Sequence, residues 1–261
     1  MTRILILESN APEIVARGIA DAAPFLDTLP QLSEELTLTV AEPYVAPLTP
    51  ALLDEAEAVI FTGSGVAWCV DDPRAEPLAQ AMRTVFDRGL PVWGSCNGMQ
   101  LAAHVLGGAV GASPNGNEDG VARDMRLTEA GRAHPMMAGR ADGFAVPCVH
   151  RDEVQHLPDG AVLLAGNDHS PIQAFAYERD GVDFWGVQYH PESSPAQIAG
   201  WIDARQTRTA EMERIADAMR DASADPENAR RLGVDPADLT LHSRARELMN
   251  WLAHIKNRTS T

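Results

Sequence analysis

Short, fully apolar runs that alternate with stretches of helical periodicity constrain the fold of this chain more than any other feature. The runs are ILIL (4–7), LTLTV (36–40), AVIF (58–61), LPVWG (90–94), AVLLAG (161–166), IQAFAY (172–177) and FWGVQYH (184–190). Each has the length and the β-branched or aromatic content of a strand. Between the third and fourth, Asp72 and Pro73 form an N-cap and first helical residue. Leu78, Met82, Val85 and Phe86 then share one face, and Gly89 closes the helix. After Cys96 the pattern repeats: Met99, Ala102, Ala103 and Leu106 fall on one face, and Gly107 and Gly108 can supply a left-handed cap. Apolar strands separated by single helices require right-handed crossovers, so the expectation is an α/β fold with a mainly parallel, doubly wound sheet covered on both faces.

Residues 109–183 hold more Gly, Pro and short runs, which suits antiparallel edge strands. Beyond Pro195 the pattern turns helical, with apolar stripes at Ile198, Trp201 and Ile202, at Met212, Ile215, Ala216 and Met219, and at Leu248, Trp251, Leu252 and Ile255. Breaks at Asp225-Pro226 and in RLGVDPADL (231–239) predict two or three helices. The predicted organisation is therefore a domain over residues 1–195 and a helical extension over 196–261. Charge follows the same division: residues 1–200 carry 11 of the 21 basic and 27 of the 37 acidic side chains, and the rest is balanced.

The formal charge of −16 opposes nucleic-acid binding, because phosphate contacts would meet repulsion and release no counterions. No window reaches the roughly 20 uncharged apolar residues of a membrane span, and the start MTRILILESN lacks a secretory signal pattern. Three cysteines without CxxC spacing argue against disulfides or a thiolate metal site, and no HExxH spacing joins the eight histidines. The expectation is a cytoplasmic protein with no metal, no cofactor, no nucleic-acid partner and no membrane association. Lys256 is the only lysine, which leaves Schiff-base chemistry almost nothing to draw on.

Two stretches carry candidate chemistry. Gly94-Ser95-Cys96-Asn97-Gly98 has the G-x-nucleophile-x-G form of a strand-to-helix elbow, in which flanking glycines relieve a turn too sharp for side chains. A thiol there meets the unpaired N–H groups of a helix start, which favour thiolate. A buried core cysteine between packing glycines accounts for the pentapeptide equally well. At the end of FWGVQYHPESS, His190 and Glu192 are two residues apart, so a carboxylate can orient an imidazole; taken alone, a histidine before proline more often satisfies a turn.

Together the two stretches resemble the class I (triad) glutamine amidotransferases, whose elbow reads G-x-C-x-G-x-Q and whose later strand ends in Q-x-H-P-E. Here Gly94, Cys96, Gly98 and Gln100 complete the first pattern, and Gln188, His190, Pro191 and Glu192 the second. The resemblance spans about residues 3–195. The runs GSGVAWCVDDP and VHRDEVQHLPDGAVLLAG are similar to a stand-alone branch related to the glutaminase part of GMP synthase.

This resemblance implies a flavodoxin-like fold and a Cys96 nucleophile that attacks the glutamine side-chain amide. It implies His190 as base and then acid, oriented by Glu192, with release of ammonia and hydrolysis of a thioester. It also implies an oxyanion hole from the backbone N–H groups of Asn97 and of Ser64, in an FTGSG loop that departs from the family's Gly-Gly-Pro; Gly63 and Gly65 remain alternatives to Ser64. Substrate contacts are expected at Gly63, Gln100, His150, Arg151, Gln188 and Tyr189, and His150 reads equally as a structural histidine. Asn97 and Met99 differ from the residues common in the family, which leaves the donor substrate open.

Three readings remain. The first is glutamine hydrolysis that feeds ammonia to a separate acceptor synthase, since the chain has no ATP-pyrophosphatase loop. The second is hydrolysis of a γ-glutamyl peptide or conjugate by the same triad. The third, of another class, is a non-catalytic partner-binding module. The helical extension is expected to pack on the domain or to form a homo-oligomer contact. An α/β-hydrolase with a cysteine elbow is disfavoured by the close spacing of His190 and Glu192.

Overall fold

A computed structural model describes residues 1–205 and 207–259. Eleven strands are described: β1 (Thr2–Leu7), β2 (Leu36–Ala41), β3 (Ala58–Phe61), β4 (Pro91–Ser95), β5 (Ala109–Ala112), β6 (Glu118–Leu127), β7 (Phe144–His150), β8 (Asp152–His156), β9 (Val162–Gly166), β10 (Ala174–Arg179) and β11 (Val182–Val187). Nine of them form one sheet in the order β2-β1-β3-β4-β11-β10-β9-β6-β7, while β5 and β8 pair separately. The first five in that order are mutually parallel, and the pairs from β11 through β10, β9 and β6 to β7 are antiparallel. The expected doubly wound parallel sheet and its antiparallel flank are both present.

Strand alternation explains why the runs are apolar throughout. Ile4, Ile6, Ile60 and Trp93 face one side, where they meet Phe25, Leu29, Leu248, Trp251 and Ile255 of the helices Ala23–Leu32 and Arg246–Thr259. Leu5, Leu7, Val59, Phe61 and Val92 face the other, against Met82, Val85, Met99 and Leu101 of the helices Glu76–Asp87 and Asn97–Val105. Both faces are dry along residues 4–7, 58–61 and 91–94, which explains why these stretches hold no polar side chain; Ser95, at the end of β4, is the point where one enters. Asp72 caps as expected by accepting from Arg74 N–H, although the first turn is a 3₁₀ segment, Pro73–Ala75, ahead of the α-helix.

Two expectations change. The last predicted strand stops at Val187 rather than reaching His190: His190 N–H donates to Pro147 O at 2.8 Å, so the chain leaves the β4 ladder and turns across the sheet end. The tail is more broken than two or three helices. It comprises Pro195–Asp203, Ala210–Arg220, Pro226–Leu232, a 3₁₀ turn Pro236–Leu239, Leu241–Arg244 and Arg246–Thr259. A capping Asp followed by Pro begins two of these segments, at Asp225-Pro226 and Asp235-Pro236, and Gly233, at φ +73°, ends the third helix in the left-handed region.

The apolar stripes of the tail are buried within the chain. Ile198, Ile202, Ala216 and Met219 pack with Val121 and Ala145, and Leu248, Trp251 and Ile255 join the main core. Among the described residues, no large apolar side chain beyond Val162 is exposed. No described helix is long and apolar enough to cross a membrane.

Candidate active site

The elbow is built by sterics. Cys96 lies between β4 and the helix Asn97–Val105 with φ 48° and ψ −104°, a conformation that a non-glycine residue adopts only under tight constraint. The constraint is visible at its flanks. A Cβ on Gly94 would lie 2.7 Å from the Gly98 carbonyl carbon, and one on Gly98 would run into Phe61 O. Gly98 N–H donates to Thr62 O, and Cys96 N–H to Val187 O, so β3 and β11 clamp the turn from both sides. The thiol is 6% exposed and opens onto a cavity of about 510 Å³.

His190 and Glu192 enter from the segment that follows β11. His190 Nδ1 and Glu192 Oε1 are 2.7 Å apart, and both side chains are almost fully buried. Burial alone would push the imidazolium down in pKa. The Glu192 carboxylate and the adjacent Cys96 sulfur outweigh it and raise the group well above its ordinary value. Nε2, the far nitrogen, is buried and without a hydrogen bond. Cys96 Sγ leans toward Val149 O at 3.9 Å, so the thiol touches the ring without an aligned bond; such contacts commonly tighten when substrate binds.

Glu192 is held from three directions. Its Oε2 accepts from Ser95 Oγ at 2.9 Å, and Ser95 in turn accepts from Trp93 Nε1. Its carbonyl accepts from Thr28 Oγ1 at 2.7 Å. From the tail, the buried Arg244 donates to Pro191 O at 2.6 Å and to Thr28 Oγ1 at 3.2 Å. Burial lowers the Arg244 pKa to about 10. On the other side of the turn, Tyr189 OH donates to Glu247, which also pairs with the buried Arg140 through two bonds. The helical tail therefore grips both sides of His190.

The FTGSG loop is tied to the end of β1. Gly65 N–H donates to Asn10 Oδ1 at 2.7 Å, and Ser64 Oγ donates to Ser9 O at 2.8 Å. Gly65 N–H is thus occupied. The N–H groups of Gly63, Ser64 and Asn97 make no hydrogen bond among the described residues, which narrows the open choice of oxyanion donors to Ser64 or Gly63 beside Asn97.

The remaining predicted site residues separate into two sets. Gln100, His150 and Arg151 line the cavity. Gln100 Nε2 donates to Asp152 O at 2.6 Å and to Gln188 Oε1 at 3.2 Å. Both His150 nitrogens are engaged, Nδ1 with Asp152 O and Nε2 with Glu118, so this ring pins β7 to its neighbours. Arg151 pairs with Asp152 and donates to Ala67 O. Gly63 presses against His190 rather than lining the cavity, and Gln188 and Tyr189 are buried beneath it. Cys69 and Cys148 are free thiols; burial raises the Cys69 pKa to about 11, and burial with the neighbouring Glu118 carboxylate, 3.7 Å from Cys148 Sγ, raises that of Cys148 well above its ordinary value.

Three residues at or behind the cavity were not legible as site residues: Asp21 and Arg244, which no pattern marks, and Trp201, which the sequence places only in an apolar helical stripe. Trp201 stands edge-on to His190, with ring centroids 5.0 Å apart. Two groups have the composition of metal ligands, Glu118/His150/His169 and Glu178/Asp183/His254. In the first, Glu118 already accepts from His150, Asn167 and Gln173, a saturated hydrogen-bond network.

A strand-to-helix thiol beside a carboxylate-held imidazole in one cavity is an arrangement suited to covalent acyl transfer. Comparison with known proteins agrees. Residues 47–200 match the family model Glutamine amidotransferase class-I. The chain is 32% identical over 276 residues to a gamma-glutamyl-L-1-hydroxyisopropylamide hydrolase of Pseudomonas sp, covering 97% of this chain and 92% of that protein. It is 31% identical over 199 residues to the glutamine-hydrolyzing GMP synthase of Thermomicrobium roseum, covering 76% of this chain but only 33% of the synthase. The fold matches a glutamine amidotransferase of Thermotoga maritima with TM-score 0.65 at 20% identity, covering 97% of each chain. The chain belongs to the class-I glutamine amidotransferase family, and it is an enzyme of the amidotransferase and hydrolase kind.

Proposed function

We propose that this chain hydrolyses the γ-glutamyl amide bond of small substrates, glutamine among them, through a thioester on Cys96. The observation that carries the reading is the His190–Glu192 pair, closed at 2.7 Å and set against the elbow thiol in one cavity. The Cys96 thiol gives its proton to His190 Nε2 as Sγ bonds to the amide carbon, and the carbonyl oxygen takes the negative charge, stabilised by the N–H group of Asn97 with that of Ser64 or Gly63. The carbon–nitrogen bond then breaks as His190 Nε2 hands its proton to the leaving amine. Water gives a proton to His190 and its oxygen to the thioester carbon, the carbon–sulfur bond breaks, and the thiol regains the proton. Glu192 fixes the ring through its contact with His190 Nδ1.

A γ-glutamyl conjugate with a leaving group larger than ammonia is favoured by two facts. The cavity exceeds the volume of free glutamine, and the hydrolase of Pseudomonas sp matches nearly end to end, whereas this chain spans about a third of the GMP synthase. Delivery of ammonia to a separate synthase is the alternative for the same chemistry. In either case residues 196–261 act as a support for the unit 1–195, since Arg244 and Glu247 brace its catalytic turn. Three unpaired thiols fit a reducing compartment and so support a cytoplasmic protein.

The test is amine release from glutamine and from γ-glutamylethylamide. Turnover should fall at least about 1,000-fold in Cys96→Ala. Equal rates in the variant, or silence on both substrates, would refute the reading.

A further inference from the structure

We propose that the wall beside His190, formed by Asp21, Ile19 and Trp201, is a leaving-amine subsite that selects amines carrying a positive charge or a hydroxyl and rejects those carrying a carboxylate. The inference rests on the hydrolytic reading above. In that reaction the leaving nitrogen takes its proton from His190 Nε2, so its substituent must extend along whatever lies next to the ring.

What lies there is a buried carboxyl. Asp21 is 7% exposed and lines the cavity. A single Cβ built on Gly63 would sit 2.8 Å from His190 Cε1 and 3.3 Å from Asp21 Oδ2, so imidazole and carboxyl share one wall. No cationic side chain pairs with Asp21 among the described residues. The groups that face it are Glu8, His190, Glu192 and the Asn10 amide. Glu8 is itself engaged with the N–H groups of Asn10 and Ala22. A carboxyl held in such surroundings is costly to the fold, and burial with the charge of Glu8 raises its pKa to about 7. Ile14, Ile19 and Trp201 give the same region an apolar floor suited to a short alkyl chain.

The cations of the cavity do not offset this. Arg205 makes two 2.7 Å bonds to Asp119, and Arg151 is paired with Asp152. Arg17 is exposed at the rim, where water and salt screen it. Among the described residues facing Asp21, His190 is the one cationic group, and it is already paired with Glu192, so two carboxyls share one positive charge along this wall. An ammonium or hydroxyl on the leaving amine finds an acceptor there, and a carboxylate meets repulsion in a site from which water is largely excluded.

An isosteric series tests this: γ-glutamyl amides whose nitrogen carries ethyl, 2-hydroxyethyl, 2-aminoethyl or carboxymethyl. Measured above pH 7.5, kcat/KM should rank aminoethyl and hydroxyethyl about tenfold above ethyl, with carboxymethyl at least about tenfold below it. In Asp21→Asn the aminoethyl-to-carboxymethyl ratio should collapse toward one, while Asp21→Glu keeps the order. A general loss of packing would lower all four rates without changing their ratio. A carboxymethyl substrate as good as the aminoethyl one, or an unchanged ratio in Asp21→Asn, overturns the subsite alone. Absence of Cys96-dependent cleavage across the series overturns the hydrolytic reading and the subsite with it.

Discussion

Arg244→Met separates positioning from stability, because the two effects of removing this guanidinium oppose each other in the fold and not in the reaction. Arg244 is 5% exposed, and burial draws its pKa down to about 10, a desolvation cost on the order of 3 kcal/mol. Methionine recovers that cost. Against it stands the loss of a charged hydrogen bond to Pro191 O, worth about 1.5–3 kcal/mol, and a weaker contact with Thr28. The sum is near zero, so Tm should move by less than about 4 °C.

Catalysis has no such compensation. Without the guanidinium, the turn that carries His190 and Glu192 loses its hold on Pro191 O and is left with the Thr28 bond to Glu192 O, the Ser95 bond to Glu192 Oε2, the His190 N–H bond to Pro147 O and the Tyr189–Glu247 contact. A displacement near 1 Å at reacting groups costs on the order of 100-fold. The expected result is a kcat lowered about 10- to 100-fold with KM changed less than about threefold, read by coupled amine release. The pH profile gives a second readout. Glu192 raises the pKa of His190, so a slack turn weakens that pairing and the basic limb moves to lower pH. Arg244→Lys, which keeps one donor, should lose less than about tenfold. Wild-type kcat with an unmoved basic limb in Arg244→Met would refute the idea that the tail sets the turn.

Glycines should divide by their surroundings. Gly98→Ala forces a methyl into the Phe61 backbone and should cost about 3 kcal/mol or more by thermal denaturation, whereas Gly200→Ala, in a helix with open space around it, should add about 0.5–1 kcal/mol. Ser95→Ala removes the Oε2 bond of Glu192 and leaves Trp93 Nε1 unpaired; kcat should fall about tenfold and Tm should drop by a few degrees. Asp21→Asn should change the pH dependence of stability. The folded-state pKa of about 7 exceeds the ordinary 3.8, so the native chain binds the extra proton and loses stability as pH rises from about 4 through 7. Removing the group should therefore raise Tm at pH 8 by up to about 4 kcal/mol equivalent and have little effect at pH 4, by scanning calorimetry; an equal shift at both would argue against it.

What was legible in the sequence is what short-range sterics dictate. Gly94 and Gly98 announce the elbow because no side chain fits at either place, and the continuous apolar runs announce a sheet buried on both faces. The pairing of His190 with Glu192 is local for the same reason. The extent of the last strand was not legible, since its end is decided by a bond from His190 to Pro147 on β7. Arg244 was invisible because it lies 53 residues from the carbonyl it serves and 216 from Thr28, separations no periodicity encodes. Asp21 reads in sequence as one acid among 37, and only the fold turns it toward the imidazole. The tail's stripes announced helices and left two partners open, the chain's own domain or a second copy; the fold packs them on the domain.

The grip of Arg244 and Glu247 on the turn also orders events in time. The thiol and the imidazole leave the ribosome well before the two residues that fix their alignment, which follow Tyr189 and Pro191 by 58 and 53 positions. In a chain made from its N-terminus, the bonds from Arg244 to Pro191 O and from Tyr189 to Glu247 are therefore among the last contacts of this turn that can form.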